Sequence, residues 1–116
     1  MNVDTEPGVY DALIPLGESE SNEVDFEGNL WGRIDMPAGW NTANITVLGR
    51  YNGGELRPIY TETAEYVIAS AAAGRAILIN PGVASGLTHV VIRSGTAAVP
   101  VAQEADRLLK LVISAA

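Results

Sequence analysis

Cysteine is absent from this chain, and histidine and phenylalanine occur once each. Without thiols there is neither a disulfide framework nor a thiolate metal site, so stability must come from burial or from association with other chains. No stretch approaches the roughly 18 consecutive apolar residues of a membrane span. The N-terminus carries acids where a signal peptide needs a basic region and an apolar run. The expectation is a soluble protein made in a cytoplasm, with no membrane as partner.

Positive charge is scarce as well. Seven Lys and Arg stand against fourteen Asp and Glu, for a net charge of −7. The deficit is concentrated in residues 1–28, where Asp4, Glu6, Asp11, Glu18, Glu20, Glu23, Asp25 and Glu27 occur with no Lys or Arg. An acidic leading segment repels phosphate backbones, and no basic stripe elsewhere offsets it, so nucleic acid is excluded as a partner.

What is present fits one domain: 116 residues, 47% of them hydrophobic, enough for one packed core. Residues 1–9, with Pro7 and Gly8 among acids, read as an acidic arm, and 10–116 as the folded domain. From Tyr10 onward, short apolar or β-branched runs are broken every eight to twelve residues or so by turn residues, the rhythm of a β-sandwich or barrel. Strands are expected over 29–36, 43–51, 56–60, 65–69, 75–80, 87–93 and 108–114. Asn52-Gly53-Gly54 predicts a hairpin turn because these residues accept positive φ at little cost. Asn80-Pro81-Gly82 marks another turn. The near-continuous apolar run Leu108 to Ser114 predicts a central strand covered on both faces. The fold class is therefore all-β: an antiparallel two-sheet sandwich, jelly-roll-like, of about eight strands, with a small barrel as the alternative.

Catalytic constellations are missing. Nucleophilic hydrolysis needs an activated Ser, Thr or Cys beside an oriented base; His89 falls mid-strand, and Ser85 sits one place off the nucleophile-elbow spacing. Neither a phosphate-binding loop nor a dinucleotide fingerprint occurs, and no cofactor is expected. Glu23, Asp25 and Glu27 alternate with Val24 and Phe26, so a strand sets three carboxylates on one face. That face is a partner contact, a plain solvated surface, or a place for a hard cation such as Ca²⁺. Trp31 alternates with Leu30 and Ile34 and is thereby predicted on the outward face, as a partner contact or a sugar-stacking platform; core filling is the other reading of so large a ring. The chain reads as a protein that binds or builds, not an enzyme.

The corner Asp35-Met-Pro-Ala-Gly-Trp40, the strand Ala43-Asn-Ile-Thr-Val-Leu48, and the stretch Val91-Ile-Arg-Ser-Gly-Thr96-Ala-Ala-Val-Pro-Val-Ala-Gln103-Glu-Ala-Asp-Arg107 followed by Leu109-Lys-Leu-Val-Ile113 resemble a family of small virion structural proteins of tailed bacteriophages and prophages. The resemblance runs from about Ile14 to the C-terminus. It implies a particle component: a decoration or cement protein on the capsid surface whose partner is the major capsid protein, with a homo-oligomer, trimer or dimer, as its form; the alternative is a tail or fibre component, a glycan-binding module that adheres to the host surface. No catalytic residue comes with the resemblance. Within the distinctive stretch, Arg93, Asp106 and Arg107 are expected to pin the long 94–107 connection across the end of the sandwich. The acidic arm is longer and more charged than the family pattern.

Overall fold

The computed structural model describes residues 8–27, 29–69, 71–80 and 87–114. Most of the acidic arm, the turn at 80–82 beyond Asn80, and the surroundings of Ser85 lie outside the described residues. The strands are β1 (Gly8–Ile14), β2 (Val24–Asp25), β3 (Leu30–Asp35), β4 (Ile45–Arg50), β5 (Arg57–Pro58), β6 (Ala76–Leu78), β7 (His89–Ser94) and β8 (Arg107–Ser114). They form two four-stranded sheets, ordered β1-β8-β3-β6 and β2-β7-β4-β5, with antiparallel neighbours throughout. The first strand pairs with the eighth, the second with the seventh, the third with the sixth and the fourth with the fifth. A long hairpin rolled up on itself gives this order, which is the jelly roll.

The hairpin tip is the β4–β5 turn. Gly54 donates its N–H to the Tyr51 carbonyl at 2.8 Å, and Gly53 sits at φ 87°, where only glycine is unstrained. Pro58 falls on the edge strand β5, where its missing donor is tolerated.

Ala12, Ile14, Trp31, Ile34, Leu109, Leu111 and Ile113 of one sheet meet Val24, Phe26, Ile45, Val47, Val90 and Ile92 of the other, all buried. The Phe26 and Trp31 rings are tilted against each other at 5.5 Å between centroids, and Tyr10 meets Phe26 edge-on at 6.3 Å. This aromatic stack joins the two sheets.

Trp31 is thus a core residue, 1% exposed, and the outward placement predicted for it is corrected. The cause is a β-bulge. Trp31 pairs with Ile113 and Arg33 with Val112, so Gly32 is an extra residue on β3 and shifts the alternation by one place. Trp31 and Ile34 therefore both point inward while Leu30 is exposed. The indole Nε1–H donates across the bulge to the Arg33 carbonyl at 3.1 Å, satisfying the one polar group of the buried ring.

Three further expectations change. The arm is shorter than 1–9, because β1 begins at Gly8, paired with Ile113. β8 is hydrogen-bonded on both sides but covered on one face: Leu109, Leu111 and Ile113 are buried, whereas Leu108 is 39% exposed. The strand covered on both faces is β7, buried from Val90 through Ser94. Residues 65–69 form no strand of their own; Ile68 bridges to Ile45 and Glu65 to Tyr60, making a short excursion beside β4.

The open edge of β1 is closed by one residue. Asn22 donates its backbone N–H to the Leu13 carbonyl, accepts the Leu13 N–H on Oδ1 at 2.7 Å, and donates Nδ2–H to the Asp11 carbonyl. The Leu13 donor and acceptor and the Asp11 acceptor, which another strand would seek, are thereby already used.

Candidate functional site

Two regions hold the residues singled out from the sequence. The first is the acidic strip on β2. Because β2 alternates, Val24 and Phe26 point inward and Glu23, Asp25 and Glu27 outward, but the carboxylates do not converge. Glu23 accepts from Arg50 Nη2 at 2.6 Å, and that hydrogen bond, with the charge of the same guanidinium, holds its carboxyl below the usual glutamate range. Asp25 Oδ1 accepts the Glu27 N–H at 2.8 Å, while Oδ2 lies 3.4 Å from His89 Nε2. Glu27, at φ 54°, accepts the Tyr10 hydroxyl at 2.6 Å. That hydrogen bond holds the phenol proton, and the carboxylate's charge adds to it, so the Tyr10 pKa is raised. Among the described residues no group of three or more His, Asp or Glu is arranged to hold a metal ion.

Asp25, Glu27, Asn52, Thr88 and His89 line an open depression of about 340 Å³. Within it Thr88 Oγ1 lies 2.6 Å from His89 Nδ1, so hydroxyl, imidazole and carboxylate stand in a row. Chemically the row orients an imidazole. For acyl transfer it would also need donors for an oxyanion beside the hydroxyl, and the Thr88 backbone N–H is committed to the Arg50 carbonyl at 3.0 Å.

The second region is the end of the sandwich, where the 94–107 connection crosses. Arg93, 6% exposed, donates from Nη2 to Glu65 at 2.7 Å and from Nε to Thr46 Oγ1 at 3.0 Å. Glu65 also accepts the Ala97 N–H at 3.3 Å. One carboxylate therefore ties β7 to the 61–65 excursion and to the turn at 96–99. Asp106 accepts the Leu16 N–H at 2.8 Å, holding the link that follows β1. Arg107 donates from Nε to Gln103 at 3.1 Å and from Nη2 to Asn41 at 3.0 Å.

At the centre is a residue that the sequence reading did not single out. Gln103 is 1% exposed. Its Oε1 accepts from the Asn41 N–H at 2.8 Å and from Arg107, and its Nε2 donates to the Asn41 carbonyl and to Ser94 Oγ at 2.8 Å. All four side-chain hydrogen-bonding positions of an amide are filled. The signal available in the sequence was the spacing Gln103-x-x-Asp106-Arg107; its other partner, Asn41, lies 62 residues away. Gly95, at φ 89°, completes the crossing, and a Cβ there would collide with the Val99 carbonyl oxygen and come within 2.7 Å of Val101 N.

The structure thus keeps two groups of residues apart. Glu23, Asp25 and Glu27 lie along β2, whereas Arg93, Asp106 and Arg107 serve the sandwich end, and Trp31 belongs to neither surface.

No protein-family model matches the chain, and no curated protein matches it. Among solved structures it is similar to the crystal structure of SPBc2 prophage-derived protein YomS, with a TM-score of 0.59 and 13% sequence identity over 99% of this chain and 100% of that one. At that identity the likeness is one of fold, and it extends over both chains almost end to end.

Proposed function

We propose that this chain is a non-enzymatic structural protein of a phage particle, a decoration protein that binds the outer capsid shell and bridges major capsid subunits. The observation that carries the reading is the likeness of this fold, over 99% of the chain, to a prophage-derived protein. The stretch from Val91 to Arg107 supports it from the sequence side. The chemistry of the surface agrees: the β2 carboxylates are each engaged with a neighbour of their own chain, and the sandwich end is tied internally.

A subunit that binds the assembled lattice and not its free parts stabilises the shell by mass action. Localisation on the capsid surface, after synthesis in the host cytoplasm, follows from the same reading. A glycan-adhering role loses its contact residue, because the Trp31 ring is stacked on Phe26 inside the core.

The test is particle composition and stability. Purified particles of the encoding phage should contain the chain in many copies, and particles made without it should release their DNA at lower temperature. Particles that lack the chain, or depleted particles as heat-resistant as intact ones, sink the reading.

A further inference from the structure

The two sheets present very different outer faces. On the β2-β7-β4-β5 sheet, Thr46, Val91 and Arg93 are buried at 0%, 4% and 6% exposure, with Glu65 and the 96–99 turn closed over Arg93. On the β1-β8-β3-β6 sheet nothing in the described chain covers the outer face. The strand registers align Val9, Val112, Arg33 and Leu78 in one row and Asp11, Lys110, Asp35 and Ala76 in the next, with Leu13 opposite Leu108 beyond them. Leu78 is 82% exposed and Val9 58%. This is an apolar face with a charged centre.

Its charge is compatible with a second copy of the chain. Lys110 pairs with Asp11 at 2.7 Å, and Arg33 pairs with Asp35 at 2.7 Å. The face is therefore neutral on a chain of net charge −7. Two copies of so acidic a chain repel over most of their surface, but here they can meet without like-charge opposition. Each copy brings two cations and two carboxylates, so a twofold arrangement can cross-match them while the flanking Val and Leu side chains leave water. We propose that two copies of this chain pack face to face through the outer surface of the β1-β8-β3-β6 sheet. The pairing is a property of the chain in solution and does not depend on the capsid reading.

The size of the face sets the strength. Strands of seven, eight, six and three residues, about 4.8 Å apart and rising about 3.3 Å per residue, give about 400 Å² in projection. Standard interfaces bury about 800 Å² per partner, so the pair belongs to the weak, concentration-dependent class, with a dissociation constant on the order of micromolar or higher.

Sedimentation equilibrium of the full chain from about 1 μM to 1 mM tests this. The expected mass rises from 12.2 kDa towards twice that value. Leu78→Asp, on a side chain too exposed to affect the core, should weaken association at least tenfold while leaving the thermal midpoint unchanged. Lys110→Glu makes the face acidic and should do the same, whereas combining Lys110→Asp with Asp11→Lys restores neutrality and should restore association. A chain that remains monomeric to 1 mM, or a dimer indifferent to both single substitutions, overturns the proposal. So does a monomer that uses this face to bind purified capsid protein instead.

Discussion

The Arg93–Glu65 pair offers the sharpest test of how this end of the sandwich is held. Both side chains are nearly buried, at 7% and 13% exposure. Glu65→Ala removes the carboxylate but leaves the guanidinium in place, with Thr46 Oγ1 as its remaining acceptor among the bonds described above. Breaking one partner of a buried pair in this way costs about 3–5 kcal/mol, because an uncompensated charge stays behind. For a domain of this size each kcal/mol is about 3–5 °C, so the midpoint should fall by about 10–20 °C. Replacing both groups, Arg93→Met with Glu65→Ala, removes the stranded charge, and stability should return to within about 1–2 kcal/mol of the parent. Urea unfolding followed by circular dichroism gives all four corners of the cycle with a common m-value. A loss under about 1 kcal/mol for Glu65→Ala, or a double variant as damaged as the sum of its singles, would refute the reasoning.

Gln103→Leu strands the Asn41 N–H and carbonyl and the Ser94 hydroxyl, and should cost at least about 3 kcal/mol in urea unfolding; Gln103→Glu, which keeps an acceptor for Asn41 and Arg107, should cost less. Gly95→Ala forces a Cβ into the Val99–Val101 backbone at a left-handed φ, and the unfolding free energy measured in urea should drop by about 2 kcal/mol or more. In acid, the depressed Glu23 carboxyl contributes stability that is fully present above the ordinary glutamate pKa and is lost as the pH falls through its lower folded value. Glu23→Gln should therefore flatten the acid limb of a stability–pH curve while leaving the rest of its shape unchanged.

The alternation of apolar residues and the turn at Asn52-Gly53-Gly54 made the strands and their antiparallel pairing legible, because both are local signals. Alternation places Trp31 outward for an equally local reason: it assumes an unbroken pleat, and Gly32, the one residue that hints at a bulge, reads as an ordinary strand position, so of the readings of Trp31 it is core filling that the structure shows. The covering of β7 was not legible. Arg93 is expected to pin the 94–107 connection, but its partner Glu65, 28 residues earlier, is brought onto it only by the tertiary fold. The apolar outer residues of β8 misled in the opposite sense, since hydrophobic composition reports what a strand can bury and not whether anything arrives to bury it. Gln103 belongs to the same class: its burial depends on Asn41 and Ser94, which only the rolled topology assembles.

The single asparagine at the edge of β1 has a consequence for polymerisation. A seven-residue strand with free backbone donors and acceptors is a template, and each strand added to a template exposes another, so growth by edge pairing never closes. Asn22 occupies the donor and acceptor of Leu13 and the acceptor of Asp11, and so opposes pairing along that half of the strand. Unlike a second strand, it presents no new edge of its own. Replacing it with alanine keeps the backbone bond to the Leu13 carbonyl but frees the Leu13 donor and the Asp11 acceptor for another strand.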